Sequence, residues 1–357
     1  MFASAGKTLR SRPTPIGRIS LIALLASCSI EASASAIISS LQPNLVDYYT
    51  FDNPVAGNAA QEADQGFGGT NINLVNGGSA MRVAGGAHQG SGQAIQTQQV
   101  APTTSGNNDW KAGVYNAAGV STMSAFNHVT QISVAGWVQM TGTNPNLNSN
   151  TANASDYYNA VGLFGILQGG TAAQNNGHNV RALVEIESNF TDGVTGYRLV
   201  ALGRRVDSGS SYILAATDTW QSLLPQNTWV FVAATFDYDI GAMALYINGL
   251  PIAASYTAGG DPWAIAGGAE PDFTSSTNPG GIKIGGSYPQ NSMEFNACNC
   301  RFDDLMFLDR VMTPDEVLAQ YRAFQVPEPS SMGLAALGAL AALGAARTRR
   351  KSVVASR

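Results

Sequence analysis

The sequence predicts an all-β sandwich, and three observations carry that expectation. Apolar, β-branched and aromatic residues alternate with polar ones at period 2 in short runs along the chain. Between the runs lie segments rich in Gly, Asn, Ser and Thr, with 39 Gly in 357 residues, the punctuation of many short strands. Charged residues make up 12% of the chain, against a typical ~25%. Residues 226–255 show the pattern most clearly, as three strands and two turns. Trp229, Phe231, Ala233 and Thr235 alternate with Val230, Val232, Ala234 and Phe236, and a polar turn ends at Gly241. A second strand covers Ala242–Ile247, and Asn248-Gly249 then supplies the strongest short hairpin signal, since both residues accept positive φ. The return strand holds Pro251, which belongs on an edge because it cannot donate to a ladder.

In chain order, residues 45–52 (Leu-Val-Asp-Tyr-Tyr-Thr-Phe-Asp) read as the first strand. Residues 53–93 read as loops around weak strands at Ile72–Val75 and 80–84, and residues 101–127 as an irregular excursion holding Trp110 and Tyr115. Firm strands follow at 131–139, 161–167, Val180–Glu187, 196–202 and 212–216. The loops 141–159 and 257–279 are longer than compact domains usually carry without a reason. Short strands at 281–286 and 302–308 close the series. Thr313, Pro314 and Glu316 then form a capping box, with Pro at the first helical position and acids in the first turn. The helix is expected to run to about Phe324 and to bury Val317, Leu318 and Tyr321. No internal repeat is visible, so one large domain over residues 37–326 is expected.

Both ends carry addressing signals. Basic residues up to Arg18, an apolar run from Ile19 to Ala26 and Ala34-Ser35-Ala36 make residues 1–36 a secretory signal peptide. Leu25-Ala26-Ser27-Cys28 is a competing lipoprotein-like box, with Cys28 as the acylated residue. At the other end, Pro327, Glu328 and Pro329 precede an apolar segment at 332–346, expected to be transmembrane, and a basic cluster at 347–351. That apolar stretch is shorter than the ~20 residues that span a bilayer comfortably. The basic cluster favours the cytoplasmic side. Residues 37–326 keep ten basic against 22 acidic side chains, a net charge of −12. Such a domain repels phosphate backbones, which argues against nucleic-acid partners, and suits divalent cations or neutral polymers.

Two resemblances follow from these residues. The pattern from Trp229 through Asp237 to the Tyr-Ile-Asn-Gly hairpin resembles the laminin-G-like, concanavalin A-like jelly roll. So do the Phe51-Asp52 strand end, the 90–95 segment, the Trp137 strand, the 281–286 strand and the Phe302-Asp303-Asp304-Leu305 element. The tail at 327–351 resembles the PEP-CTERM sorting signal. That resemblance implies processing by an exosortase-type enzyme of Gram-negative exopolysaccharide producers, with passage through the inner membrane to the cell surface or matrix. The first implies that Asp52, a carbonyl near Gly92 and Asp303 share a calcium between the first and last strands. From the residues alone, Asp303 shares the alternation phase of Leu305 and Phe307, and a core-facing carboxylate needs a partner. Capping or backbone hydrogen bonding is the other reading of both acids.

A carbohydrate surface is the next candidate. If Ile132, Val134 and Val138 face the core, Trp137 faces away, and by the same alternation Arg181, Glu185 and Glu187 point outward. With both strands in one sheet, a Trp platform beside fixed polar groups suits a sugar ring; Trp137 buried under a loop is the competing reading. Cys298 and Cys300 form either a disulfide in an oxidising compartment or an unpaired couple in a turn. Jelly-roll glycosidases resemble Glu-x-Asp-x-x-Glu, but here Glu187 replaces the Asp and Phe190 the second Glu. No acid–nucleophile pair can be assigned, so the expectation is a non-enzyme that binds glycan or exopolysaccharide. A structural coat or adhesion protein, or a degenerate hydrolase, are the alternatives.

Overall fold

The computed structural model describes residues 37–100, 109–115, 126, 129–142, 160–168, 180–187, 198–204, 212–256, 279–286 and 297–326. Residues 37–326 belong to one compact unit. The expected signal peptide with Cys28 lies outside the described residues. So do the tail with Pro327, Glu328 and Pro329, and most of the loops 141–159 and 257–279.

Two antiparallel sheets make the described fold. The eight-stranded sheet runs Leu250–Pro251, Ala242–Ile247, Trp229–Asp237, Gln131–Met140, Cys300–Leu308, Gln93–Thr97, Arg82–Ala84, and Leu45–Tyr49 also pairs with Cys300–Leu308. The ten-stranded sheet runs Ala254–Tyr256, Tyr212–Thr219, Arg198–Gly203, Val180–Glu187, Ala160–Gln168, Pro279–Ile284, Lys111–Tyr115, Ile72–Val75, Asn58–Glu62, Pro54–Val55. Their facing sides share one apolar core, with Val134, Val138, Val232 and Phe307 from the first sheet and Leu163, Val184, Ile186 and Ile284 from the second. Each such side chain contributes roughly 1.5–3 kcal/mol by leaving water.

The 226–255 stretch folds as its sequence requires. Trp229–Asp237 pairs with Gln131–Met140, Ala233 opposite Ala135, and with Ala242–Ile247 across the hairpin. Asn248 and Gly249 take φ of 49° and 83°, and the Asn248 N–H donates 2.8 Å to the Phe231 carbonyl. The expected return strand is two strands. Leu250–Pro251 closes the edge of one sheet, with Pro251 at that edge, and Ala254–Tyr256 joins the edge of the other. The excursion at 101–127 contains a strand, Lys111–Tyr115, between Pro279–Ile284 and Ile72–Val75. Asn58–Glu62 is a further strand among the expected loops. Both are too short and polar or glycine-interrupted to show a period; their neighbours define them.

The helix Pro314–Gln325 carries the expected capping box at Thr313 and Glu316. Its buried face is Val317, Gln320 and Phe324, while Leu318 and Tyr321 are half-buried, which corrects the expected set. Gln320 fits the interior because its Oε1 accepts the Ile38 N–H at 3.0 Å. The helix covers the outer face of the eight-stranded sheet, over Trp137, Phe231, Tyr48 and Met306.

Candidate functional site

Two places bring together the side chains singled out by the sequence. The first is a junction in the strand Cys300–Leu308. Residues Cys300–Phe302 pair with Gln93–Thr97, and Leu305–Leu308 with Leu45–Tyr49. Between them the register slips and Asp304 takes φ +47°. Phe302 and Leu305 both face the inter-sheet core, three residues apart, so the bulge inserts one residue. Asp303 therefore stands opposite Trp137 on the outward side and does not share the phase of Leu305 and Phe307, contrary to the alternation argument.

The loop 85–92 folds over this junction. Asp303 Oδ2 accepts the Ala87 N–H at 2.7 Å and the Ser91 hydroxyl at 2.6 Å, and its Oδ1 accepts the Asp304 N–H at 2.9 Å. Asp52 Oδ2 accepts the Gly92 N–H at 3.0 Å. Asp304 accepts from the Tyr48 hydroxyl and lies 2.6 Å from His88 Nε2, while His88 Nδ1 lies 3.1 Å from the Gln89 carbonyl. Both ring nitrogens face acceptors, a geometry that two N–H donors satisfy. Burial, then the Asp304 charge, pushes the Asp303 carboxyl well above the usual range, with Ser91 and Ala87 offsetting part. Burial also raises Asp52, partly offset by Gly92.

Asp52, Gly92 and Asp303 thus meet around one loop. Their donors are hard oxygens, the chemistry calcium takes, but calcium needs six to eight. Among the described residues no group of three or more His, Cys, Asp or Glu side chains could hold a metal ion. Two carboxylates fit in kind and fall short in number, so carbonyls and water would have to supply the rest.

The second place is the outer face of the ten-stranded sheet, and here the expected sugar platform is corrected. Trp137 lies in the eight-stranded sheet and Val180–Glu187 in the ten-stranded one, so they share no surface. Trp137 is 2% exposed, packed edge-on to Phe231 at 5.5 Å and Phe324 at 6.0 Å. A helix covers it, where the sequence suggested a loop. Arg181 also leaves the outward set, because a register shift between Val180 and Ala182 turns it aside. Its guanidinium sits 3.7 Å above the Tyr238 ring and donates to the Arg204 and Val129 carbonyls at 2.7 and 2.9 Å.

Glu185 and Glu187 keep their expected phase, alternating with core residues Val184 and Ile186; Glu185 is buried and Glu187 half-buried. The sequence reading missed Lys111 and Lys283 in the same sheet, each 1% exposed. Lys283 stands between the core residues Ile282 and Ile284 and so points to the outer face. It is flanked by Gly113 and Gly165 on the adjacent strands. Its stem lies across Gly162, where an added β-carbon would come 2.8 Å from Cε and 3.2 Å from Nζ, and Gly162 is directly opposite Glu185. Glycines therefore clear a lane for a lysine toward a glutamate. A Lys between two Ile on a strand was the signal that could have revealed it.

Cys298 and Cys300 are joined as a disulfide with Cα atoms 5.2 Å apart, since the strand begins only at Cys300. Both are buried, and Thr97 Oγ1 donates to the carbonyls of both, at 2.7 and 3.3 Å.

Two antiparallel sheets packed face to face, closed by a last strand that pairs with the first, define a lectin-like jelly-roll sandwich. The chain belongs to the concanavalin A-like lectin/glucanases superfamily, whose family model matches residues 112–318. A PEP-CTERM protein-sorting motif matches residues 325–351, which implies export, processing by an exosortase-type system and sorting to the cell surface. Among the described residues no helix is long and apolar enough to cross a membrane. No curated protein matches the sequence. Among solved structures, the binding domain of Paraclostridial Mosquitocidal Protein 1 is similar at 14% identity and TM-score 0.46, over 79% of this chain and 53% of that one. The botulinum neurotoxin serotype D binding domain matches at 12% and 0.44 over 81% and 52%, and a Trypanosoma rangeli sialidase at 12% and 0.41 over 78% and 32%. The chain spans about half or less of each, and nothing about ligand or activity follows from likeness at this level.

Proposed function

We propose that this exported domain is a non-catalytic module that binds neutral or weakly charged glycan, such as exopolysaccharide, on the outer face of its ten-stranded sheet. The observation that carries this reading is Lys283 laid along its glycine lane toward Glu185. The buried lysine and the glutamates, each with partners of its own, bring donor and acceptor functions to one face, the pair that sugar hydroxyls need. Trp137 has no part in this surface. Catalysis is not proposed, because Glu187 stands where the glycosidase pattern carries Asp and Phe190 where it carries the second Glu, which leaves no acid–nucleophile pair to assign.

The test is glycan-array and exopolysaccharide binding by the full chain and by Lys283→Met, which keeps the stem and removes the charge. Binding should fall at least about tenfold, the equivalent of one lost charge-assisted hydrogen bond. Melting curves of the same samples separate lost binding from lost folding. Unchanged binding by folded Lys283→Met, or none by the wild type, rejects the reading.

The junction supports a second proposal, calcium held by Asp52 and Asp303. Its basis is two carboxyls that meet around the loop 85–92 and are raised by burial first, with the Asp304 charge adding to it; a dication would favour their charged forms.

A further inference from the structure

The first strand contains an acid that neither site uses. Asp47 is 0% exposed. A register shift after Leu45 sets it opposite Phe307, on the core-facing side of the sheet. Neither of its carboxyl oxygens accepts a hydrogen bond of ordinary geometry among the described residues, and Thr70 is the donor group that lies close. Over it lies the loop 64–70, Asp-Gln-Gly-Phe-Gly-Gly-Thr. That loop is laced to the strand by Gln65 N–H to the Tyr48 carbonyl at 2.9 Å and Gly68 N–H to the Val46 carbonyl at 2.7 Å. A β-carbon at Gly68 would come 2.8 Å from Asp47 Oδ1, and one at Gly66 would come 2.1 Å from the Val46 carbonyl oxygen. The glycines therefore let the loop close directly on the carboxyl.

The neighbouring acid is placed differently. Asp64 accepts the N–H groups of Tyr48 at 2.8 Å, Gly66 at 2.7 Å and Thr70 at 3.1 Å. Three backbone donors therefore already engage the Asp64 oxygens as acceptors. Among the described residues, the other groups facing Asp47 offer no counter-charge. The Tyr49 hydroxyl donates to the Thr70 carbonyl at 2.6 Å, and Glu62 is paired with Arg82 at 2.5 Å. A buried carboxyl that accepts no well-formed hydrogen bond, beside an acid rich in donors, is satisfied when it carries a proton and donates it.

We infer that Asp47 is protonated at neutral pH and shares its proton with Asp64, making the loop 64–70 a pH-sensitive latch on the first strand. Burial first, then the Asp64 charge and its hydrogen bond, hold the Asp47 carboxyl up from 3.8 to about 8, with Thr70 offsetting part. The folded state thus binds this proton more tightly than the unfolded chain does. Its stabilisation is complete below pH ~4 and is lost as pH rises toward ~8, by up to about tenfold in the folding equilibrium per pH unit.

The experiment compares chemical unfolding of the full chain and Asp47→Asn between pH 4 and 9 in chelator. Asn supplies its own N–H donor, so the variant should lose this part of the pH slope and be the more stable of the two near pH 8. Equal slopes in both proteins overturn the inference. A second series at fixed pH adds calcium, magnesium or sodium. Stabilisation by a cation in the wild type that Asp47→Asn alone removes would show an ion in place of the proton and overturn it too. If Asp47→Asn does not fold, 13C carboxyl shifts of aspartate-labelled wild type decide. The Asp47 signal should stay protonated through neutral pH, and titration in the ordinary acid range overturns the proposal.

Discussion

The two outer faces of the sandwich start from the same pleated geometry and are finished in opposite ways. On the eight-stranded sheet the outward residues are Trp137, Phe231, Tyr48 and Met306, and the helix Pro314–Gln325 covers them. On the ten-stranded sheet the outward residues include Lys111, Lys283 and Glu185, with a small apolar group of Leu167, Leu183 and their neighbours. The difference teaches that facing away from the core is not the same as facing a ligand. An outward aromatic invites a cover, because exposed apolar area is costly. A charge inside a sheet face persists only where it is paired or has work to do.

The largest expected effect separates the faces. Trp137→Ala removes the centre of the covered cluster and should cost about 3–5 kcal/mol of stability, read as a fall in Tm. Glycan binding per folded molecule should be unchanged. Lost binding with an unaltered Tm would break the comparison, since it would place the ligand under the helix.

Calcium comes next. If Asp52 and Asp303 hold the ion, a hundredfold excess over Kd stabilises the chain by ~2.7 kcal/mol, and Asp303→Asn should abolish that response. Magnesium should substitute poorly, because it demands a tighter octahedral shell. Identical melting curves in calcium and in chelator would leave Asp303 as the hydrogen-bonded acid that its contacts with Ala87 and Ser91 already make it.

A smaller change loosens the cover itself. Glu316 closes the capping box and meets Arg310 through two hydrogen bonds of 2.7 Å. Arg310, with lesser help from the Thr313 N–H, lowers the Glu316 carboxyl from 4.5 to about 2. This depressed carboxyl stabilises the fold above pH ~4.5 and loses that contribution as pH falls toward ~2. Glu316→Ala should cost about 1–2 kcal/mol and flatten the acid limb of the unfolding curve. It should leave the Lys283 face unaffected; coupled loss of glycan binding would show that the two faces are not independent.

Much of this was legible in the chain. Asn248-Gly249 announces its hairpin because few residue pairs accept positive φ twice in a row. Thr313, Pro314 and Glu316 announce a helix start because capping is local chemistry. The tail motif is likewise read from residues adjacent in sequence. The sequence by itself therefore determined the fold class, the turns, the helix and the sorting address, all of which rest on interactions within a few residues. Only the tertiary structure decided which sheet a strand joins and where alternation slips. One bulged residue at Asp304 moved Asp303 to the other face, and another register shift withdrew Arg181 from the surface. Period-2 reasoning cannot see such insertions, because a bulge is set by the partner strand. For the same reason Lys283 and Glu185, about a hundred residues apart in sequence, face each other only through the strand Ala160–Gln168 that lies between them.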